Sequence, residues 1–177
     1  MNTSQVLPSH CSLGLVWLLA RHGTRNPSLA DMKEMATSLP KLRENILAAW
    51  EDGKTGLDSE KVEALREWRW EKAGEEDNVL TSSGQLELWL LGRRFGDRLS
   101  GLGFDIDLEN NQTRVSSSSN QRARASAESF LDGVQGIPWH SNGSNTTEEE
   151  MFKYPDIITD DHLLRYYDYC PKYQGEV

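Results

Sequence analysis

The stretch RHGTRNP, Arg21 to Pro27, sets one histidine between two arginines. A neutral imidazole is a nitrogen nucleophile, and guanidinium matches phosphate oxygens in paired N–H···O contacts while staying charged at every physiological pH. His22 is therefore the candidate catalytic nucleophile. Arg21 and Arg25 are the candidates for binding a phosphoryl group and stabilising its charge during transfer. Gly23 permits a tight turn with close backbone approach, and Pro27 limits where a following helix can start, so His22 is expected on a loop. A turn histidine beside two surface charges is the bland alternative; Arg25, Pro27 and the apolar run upstream all weigh against it.

A second cluster centres on Arg122. Thr113 to Ser119 reads as a short strand entering a serine-rich turn, and Ala123, Ala127, Phe130 and Val134 have helical spacing from Asn120 onward. Arg122 then lies in the first helical turn, where free N–H groups and the helix dipole favour an anion. Serine clusters are mostly loops, so the turn adds little by itself. Arg124 is expected to face solvent, two positions away on the helix.

The elements that must position these groups follow from patterning. Leu13 to Ala20 is apolar without alternation, which suits a strand covered on both faces of a parallel sheet, with ligands bound at its carboxyl end. After Pro27 the spacing predicts three helices. Ser28 caps the first, with Leu29, Met32, Ala36 and Leu39; Pro40 opens a second, with Leu42, Ile46, Ala49 and Trp50; a third runs from about Asp58 with Val62, Leu65 and Trp68. Thr81 caps a long helix whose Leu88, Leu91, Phe95, Leu99 and Leu102 share a face broad enough to lie on a sheet. Residues 136–150 read as a polar loop, and a last helix is expected from about Asp160, aligning Leu163, Tyr167 and Cys170. The acidic, tryptophan-bearing stretch 60–77 fits a solvated helix better than a partner-binding surface.

RHGTRNP matches the RHGxRxP signature of the histidine acid phosphatases, which the chain resembles over nearly all its length. RVSSSSNQRARASAESFLDGV is similar to the family's strand-turn-helix. LTSSGQLELWLLGRRFGDRL and HLLRYYDYCPKY resemble stretches of its multiple inositol polyphosphate phosphatase branch, and Cys11 sits where that branch has a cysteine. The resemblance implies an α/β histidine phosphatase (phosphoglycerate mutase-like) parallel sheet with a helical cap insertion. It implies a phosphohistidine on His22, phosphate held by Arg21, Arg25 and Arg122, and phosphomonoester hydrolysis on inositol polyphosphates, with 2,3-bisphosphoglycerate a further substrate of the family. No metal or cofactor is called for. Residues 1–27 would hold the first strand and catalytic loop, 28–78 the helical insertion, 79–135 the α/β core, and 136–177 a loop and terminal helix.

Relatives protonate the leaving oxygen from a late His-Asp or His-Ala-Glu motif. Here His10, His140 and His162 precede Cys11, Ser141 and Leu163 instead. The expectation is an amino-terminal, truncated portion of the domain that carries the nucleophile without its usual acid, a factor typically worth about 10²–10⁴ in rate. A general acid phosphatase or phytase, or a phosphate-binding isoform without turnover, are the alternatives. Such a piece is also expected to self-associate through uncovered apolar faces.

Composition bounds the rest. A 177-residue chain with 37% hydrophobic residues and 6 Trp has enough apolar material for a core. The net charge of −9 argues against nucleic acid and anionic membranes, so attraction of a phosphorylated small molecule must come from the local arginines. No apolar run is long enough to span a bilayer, and the first ten residues show no signal-peptide pattern. Sequons at Asn2, Asn111, Asn142 and Asn145, with the resemblance, point to a parent protein of the endoplasmic reticulum lumen or one that is secreted. Cys11 and Cys170 lack metal-ligand spacing, and their pairing is open, as is the oligomeric state.

Overall fold

A computed structural model describes residues 10–71, 76–104, 106–108, 112–139 and 156–175. The chain divides into two compact units, Asn26–Asn78 and the combination of Met1–Arg25 with Val79–Val177.

In the unit Asn26–Asn78, helix α1 spans Leu29–Glu51 and helix α2 spans Ser59–Glu67. Ser28 accepts from the Asp31 amide while the Asp31 carboxylate receives the Ser28 amide, a reciprocal cap that fixes where α1 begins. Asp58 caps α2 by accepting from the Lys61 amide. Two helices were expected where α1 is one, because Pro40 stands inside it. The reason is phase: Met32, Met35, Leu39, Arg43, Ile46 and Trp50 are all shielded from solvent, and that stripe crosses Pro40 without a break. Ending the helix there would have turned half the stripe outward. Met32 and Val62 are the buried hydrophobic residues of this unit, Trp50 Nε1 donates to the Leu57 carbonyl at 3.1 Å, and Arg43 Nη1 donates to the Trp68 carbonyl at 3.0 Å.

The other unit contains helix α3 (Ser82–Gly101), strand β1 (Val115–Ser117), helix α4 (Gln121–Gln135), strand β2 (Ile157–Thr159), and the short helices α5 (Asp161–Leu164) and α6 (Pro171–Gln174). β1 and β2 pair in parallel, Val115 opposite Ile157 and Ser117 opposite Thr159. α3 lies along α4, a helix where a sheet was expected. Its stripe is notched: a Cβ on Gly92 would fall on the Phe130 carbonyl, and one on Gly133 on the Trp89 carbonyl. The backbones can therefore approach where side chains are absent, while Leu88, Leu99 and Leu131 are buried and the Phe95 and Phe130 rings meet at 5.5 Å.

Two further expectations fail. Leu13 to Ala20 is not a strand: none of it pairs in a sheet, and Leu15 and Trp17 are 84% and 79% exposed. A strand apolar on both faces needs neighbours on both sides. Among the described residues the only sheet is the β1–β2 pair, and Leu13 to Ala20 pairs with neither strand. The single last helix is instead α5, a 3₁₀ turn over Tyr166–Asp168, and α6. Pro171 forces the break before α6, since it has no amide to donate and pushes Cys170 to an extended conformation, φ −95 and ψ 108. The polar loop at 136–150 lies, from His140 onward, outside the described residues, and so do the sequons at Asn2, Asn111, Asn142 and Asn145. Cys11 and Cys170 are both free thiols.

Candidate active site

The loop Arg21–Arg25 is held between the amino-terminal turns of α3 and α4. Thr81, the N-cap of α3, donates its amide and its hydroxyl to the Thr24 carbonyl at 3.0 and 2.9 Å. Two turns into α3, Glu87 accepts the Thr24 amide at 2.9 Å and the Thr24 hydroxyl at 2.7 Å. These contacts, the hydroxyl first and the amide second, hold the Glu87 carboxyl below its ordinary range. Gly84 makes the approach possible: a Cβ there would strike the Thr24 backbone, and one on Gly23 would strike Gly84. On the far side, Arg25 forms an isolated antiparallel bridge with Leu80, whose amide donates to Gln121 Oε1 of α4 at 3.2 Å.

α4 supplies the link to Arg122. The buried Ser126 hydroxyl accepts the Gly23 amide at 3.1 Å. Ser126 stands one helical turn after Arg122, on the same face of α4, so this bond brings the turn carrying Arg122 beside the peptide that follows His22. The Arg122 Nε is buried and has no hydrogen-bond partner among the described residues. A buried cationic donor left unpaired is costly, and an anion is the partner that removes the cost. Arg124, as expected, points away and meets Glu128 at 3.1 Å.

His22 is half-buried, and its Nδ1 lies 2.8 Å from the Gly23 carbonyl oxygen. A carbonyl only accepts, so Nδ1 is the protonated nitrogen, and in the neutral ring Nε2 keeps its lone pair. Arg21 is exposed and bonds to none of the described residues, whereas Arg25 is half-buried. The structure thus gathers His22, Arg25 and the Arg122 turn through Gly23, Leu80, Gln121 and Ser126, and leaves Arg21 at the surface next to them.

Glu87, Ser126 and Gln121 escaped sequence reading. The trace that existed was the Arg122–Ser126 spacing, which sets a small polar residue on the arginine's own face. At the β1–α4 turn, the Asp161 carboxylate accepts the Ser119 amide at 2.8 Å, which draws the Asp161 carboxyl below its usual range, and Arg165 reaches the Ser119 hydroxyl at 3.3 Å. These contacts fasten the turn that starts α4. A shallow groove lined by Gly96, Ser100, Phe104, Leu108 and Gln135 lies at the opposite end of α3 from the His22 loop and takes no part. No helix among the described residues is long and apolar enough to cross a membrane.

Comparison with known proteins identifies the family. The chain is 27% identical over 170 residues to the thiamine-repressible acid phosphatase pho4 of Schizosaccharomyces pombe, a match covering 94% of this chain and 35% of that protein. It thus spans about a third of the length of that curated relative. A crystal structure of the Klebsiella sp. ASR1 phytase overlaps 64% of this chain and 22% of its own, with 25% identity and a TM-score of 0.37. The profile of the histidine phosphatase superfamily (branch 2) matches residues 12–176, nearly the whole sequence, and the chain belongs to that superfamily.

Proposed function

We propose that the protein is a phosphoric monoester hydrolase that works through a phosphohistidine on His22, with inositol polyphosphates as its substrate class. The observation that carries this reading is the 2.8 Å contact between His22 Nδ1 and the Gly23 carbonyl, which leaves Nε2 as the free nucleophilic nitrogen. Arg21, Arg25 and Arg122 are assigned to the phosphate. Arg122 is supported by its buried, unpaired Nε at the start of a helix, where backbone amides add to the attraction.

In the first step the Nε2–P bond forms as the ester P–O bond breaks, and the leaving oxygen takes a proton from solvent, which the attacking water of the second step returns. In the second, a water oxygen bonds to phosphorus as N–P breaks, so that ester and water become alcohol and phosphate. The arginines bind charge that concentrates on the equatorial oxygens in both steps. The resemblance of LTSSGQLELWLLGRRFGDRL and HLLRYYDYCPKY to the inositol polyphosphate branch supports the finer substrate assignment, and the sequons support a lumenal or secreted parent protein.

Incubation with radiolabelled phosphate esters followed by an alkaline quench tests the chemistry. Acid-labile phosphate is expected on the wild type and none on His22→Ala. Arg122→Ala is expected to cut labelling by about 10²-fold or more, the scale of losing one charge-stabilising donor. An aryl ester with a good leaving group is expected to label faster than an alkyl ester, since its oxygen departs without a proton. Phosphate binding with no labelling would sink the enzyme reading in favour of a binding protein. A general acid phosphatase is the second reading, favoured by the match to an acid phosphatase over 94% of the chain. Inositol hexakisphosphate that labels no faster than a simple alkyl phosphate, with aryl phosphate ahead of both, decides for it.

A further inference from the structure

We propose that Glu87 is a positioning residue for His22 and acts on it through the Gly23–Thr24 peptide group. The inference rests on the reading of His22 as nucleophile and concerns how its ring is held. One amide serves both partners: the Gly23 carbonyl accepts His22 Nδ1 at 2.8 Å, and the Thr24 amide of the same peptide donates to Glu87 Oε2 at 2.9 Å. A carboxylate at the N–H end polarises an amide and makes its carbonyl a stronger acceptor, because hydrogen bonds in a chain reinforce one another. A stronger acceptor holds the proton on Nδ1 and leaves electron density on Nε2. A carboxylate that orients a catalytic histidine directly works by this logic, and here a peptide is interposed.

The rest of the geometry keeps that peptide from turning. The second Glu87 oxygen takes the Thr24 hydroxyl at 2.7 Å, the Thr24 carbonyl is fixed by both Thr81 donors, and Gly84 presses its backbone against Thr24. The low proton affinity of Glu87 keeps the relay charged through the neutral range. A plain clamp that merely seats the loop on α3 would draw on the same bonds, and the charge separates the two ideas. Glu87→Gln keeps shape and one acceptor but loses the charge. Thr24→Val loses the hydroxyl anchor but keeps the amide that the relay needs.

The test uses the full chain, with nitrogen-15 chemical shifts reporting the His22 tautomer and p-nitrophenyl phosphate as the phosphorylating probe. In the wild type the proton is expected on Nδ1. Glu87→Gln is expected to move the tautomer population toward Nε2–H and to slow labelling about tenfold, while the dissociation constant for inorganic phosphate stays within about twofold. Thr24→Val is expected to keep the wild-type tautomer population, because it leaves the carboxylate on the Thr24 amide. A wild-type ring protonated on Nε2 overturns the proposal without any variant, so it survives a Glu87→Gln chain that fails to fold. Unchanged tautomer and rate in Glu87→Gln overturns it too, as does a Thr24→Val tautomer shift as large as that of Glu87→Gln. A chain that never labels removes the phosphohistidine reading, and the tautomer measurement still decides the role of Glu87.

Discussion

Gly23 carries the site at the scale of single residues, because its amide belongs to Ser126 and its carbonyl to His22. Ser126→Ala strips a buried amide of its acceptor, which costs about 1–3 kcal/mol where no water replaces it. Denaturant unfolding is expected to show a loss in that range, with faster hydrogen exchange at the Gly23 amide. Ser126→Thr, which keeps the hydroxyl, is expected to retain most of both. An unchanged Gly23 exchange rate in Ser126→Ala would separate the loop from α4. His22, Arg25 and Arg122 were legible because their chemistry is written in residue type and in close spacing. Ser126 was not: its bond to Gly23 spans 103 positions, and a buried serine in a helix looks like filler until its partner is known.

Elements were legible where caps and apolar phase coincide. Ser28, Asp58 and Thr81 each accept an amide at the start of the helix they were read to open. Phase also explains why α1 is one helix where the sequence predicts two, since its apolar stripe runs straight through Pro40. The stripe implies that Pro40 is tolerated, not needed. It lacks the amide that the helix would use and opposes helical geometry at Leu39, penalties of about 3 kcal/mol in an open helix interior. Pro40→Ala is therefore expected to stabilise α1 by about 1–3 kcal/mol in urea unfolding. A destabilised variant would mean that the half-buried ring packs more than its backbone costs. The α3–α4 contact runs the other way. A Cβ at Gly133 meets the Trp89 carbonyl, a backbone atom that cannot step aside, so Gly133→Ala is expected to cost several kcal/mol despite its gain in helix propensity, roughly the scale of core overpacking. The short strand β2 leaves too brief a pattern to read, and Leu163, Tyr167 and Cys170 keep helical spacing across the turn at Tyr166–Asp168 that separates α5 from α6.

Two properties belong to the molecule as a whole. The first is its response to pH, in which Asp132 of α4 stands apart. Burial, and then the nearby Glu128 charge, raise its carboxyl from 3.8 to about 6. The folded chain thus holds a proton that the unfolded chain releases, so this contribution is complete below about pH 4 and fades as pH rises through 6. The group is half exposed, and solvent screening cuts its worth to roughly 1 kcal/mol. Asp132→Asn is expected to raise the melting temperature at neutral pH more than at pH near 4.5; equal shifts at both would remove the burial account.

The second property is the apolar run ahead of the site. Its lack of alternation predicts a strand covered on both faces, yet Leu15, Trp17 and Leu19 are 84%, 79% and 65% exposed. Local pattern reports what a segment prefers to bury, while burial itself depends on neighbours elsewhere, and β1 and β2 are not those neighbours. Such side chains add little to the stability of the described fold, because most of their surface meets water in the folded chain as in the unfolded one. They do favour association, since an extended apolar segment without charge or proline is a template for pairing between copies. Trp17→Lys is therefore expected to leave the unfolding free energy within about 0.5 kcal/mol and to reduce concentration-dependent aggregation. Light scattering read beside urea unfolding checks both halves. A loss of more than about 2 kcal/mol would place Trp17 in a packed core and reinstate the buried strand.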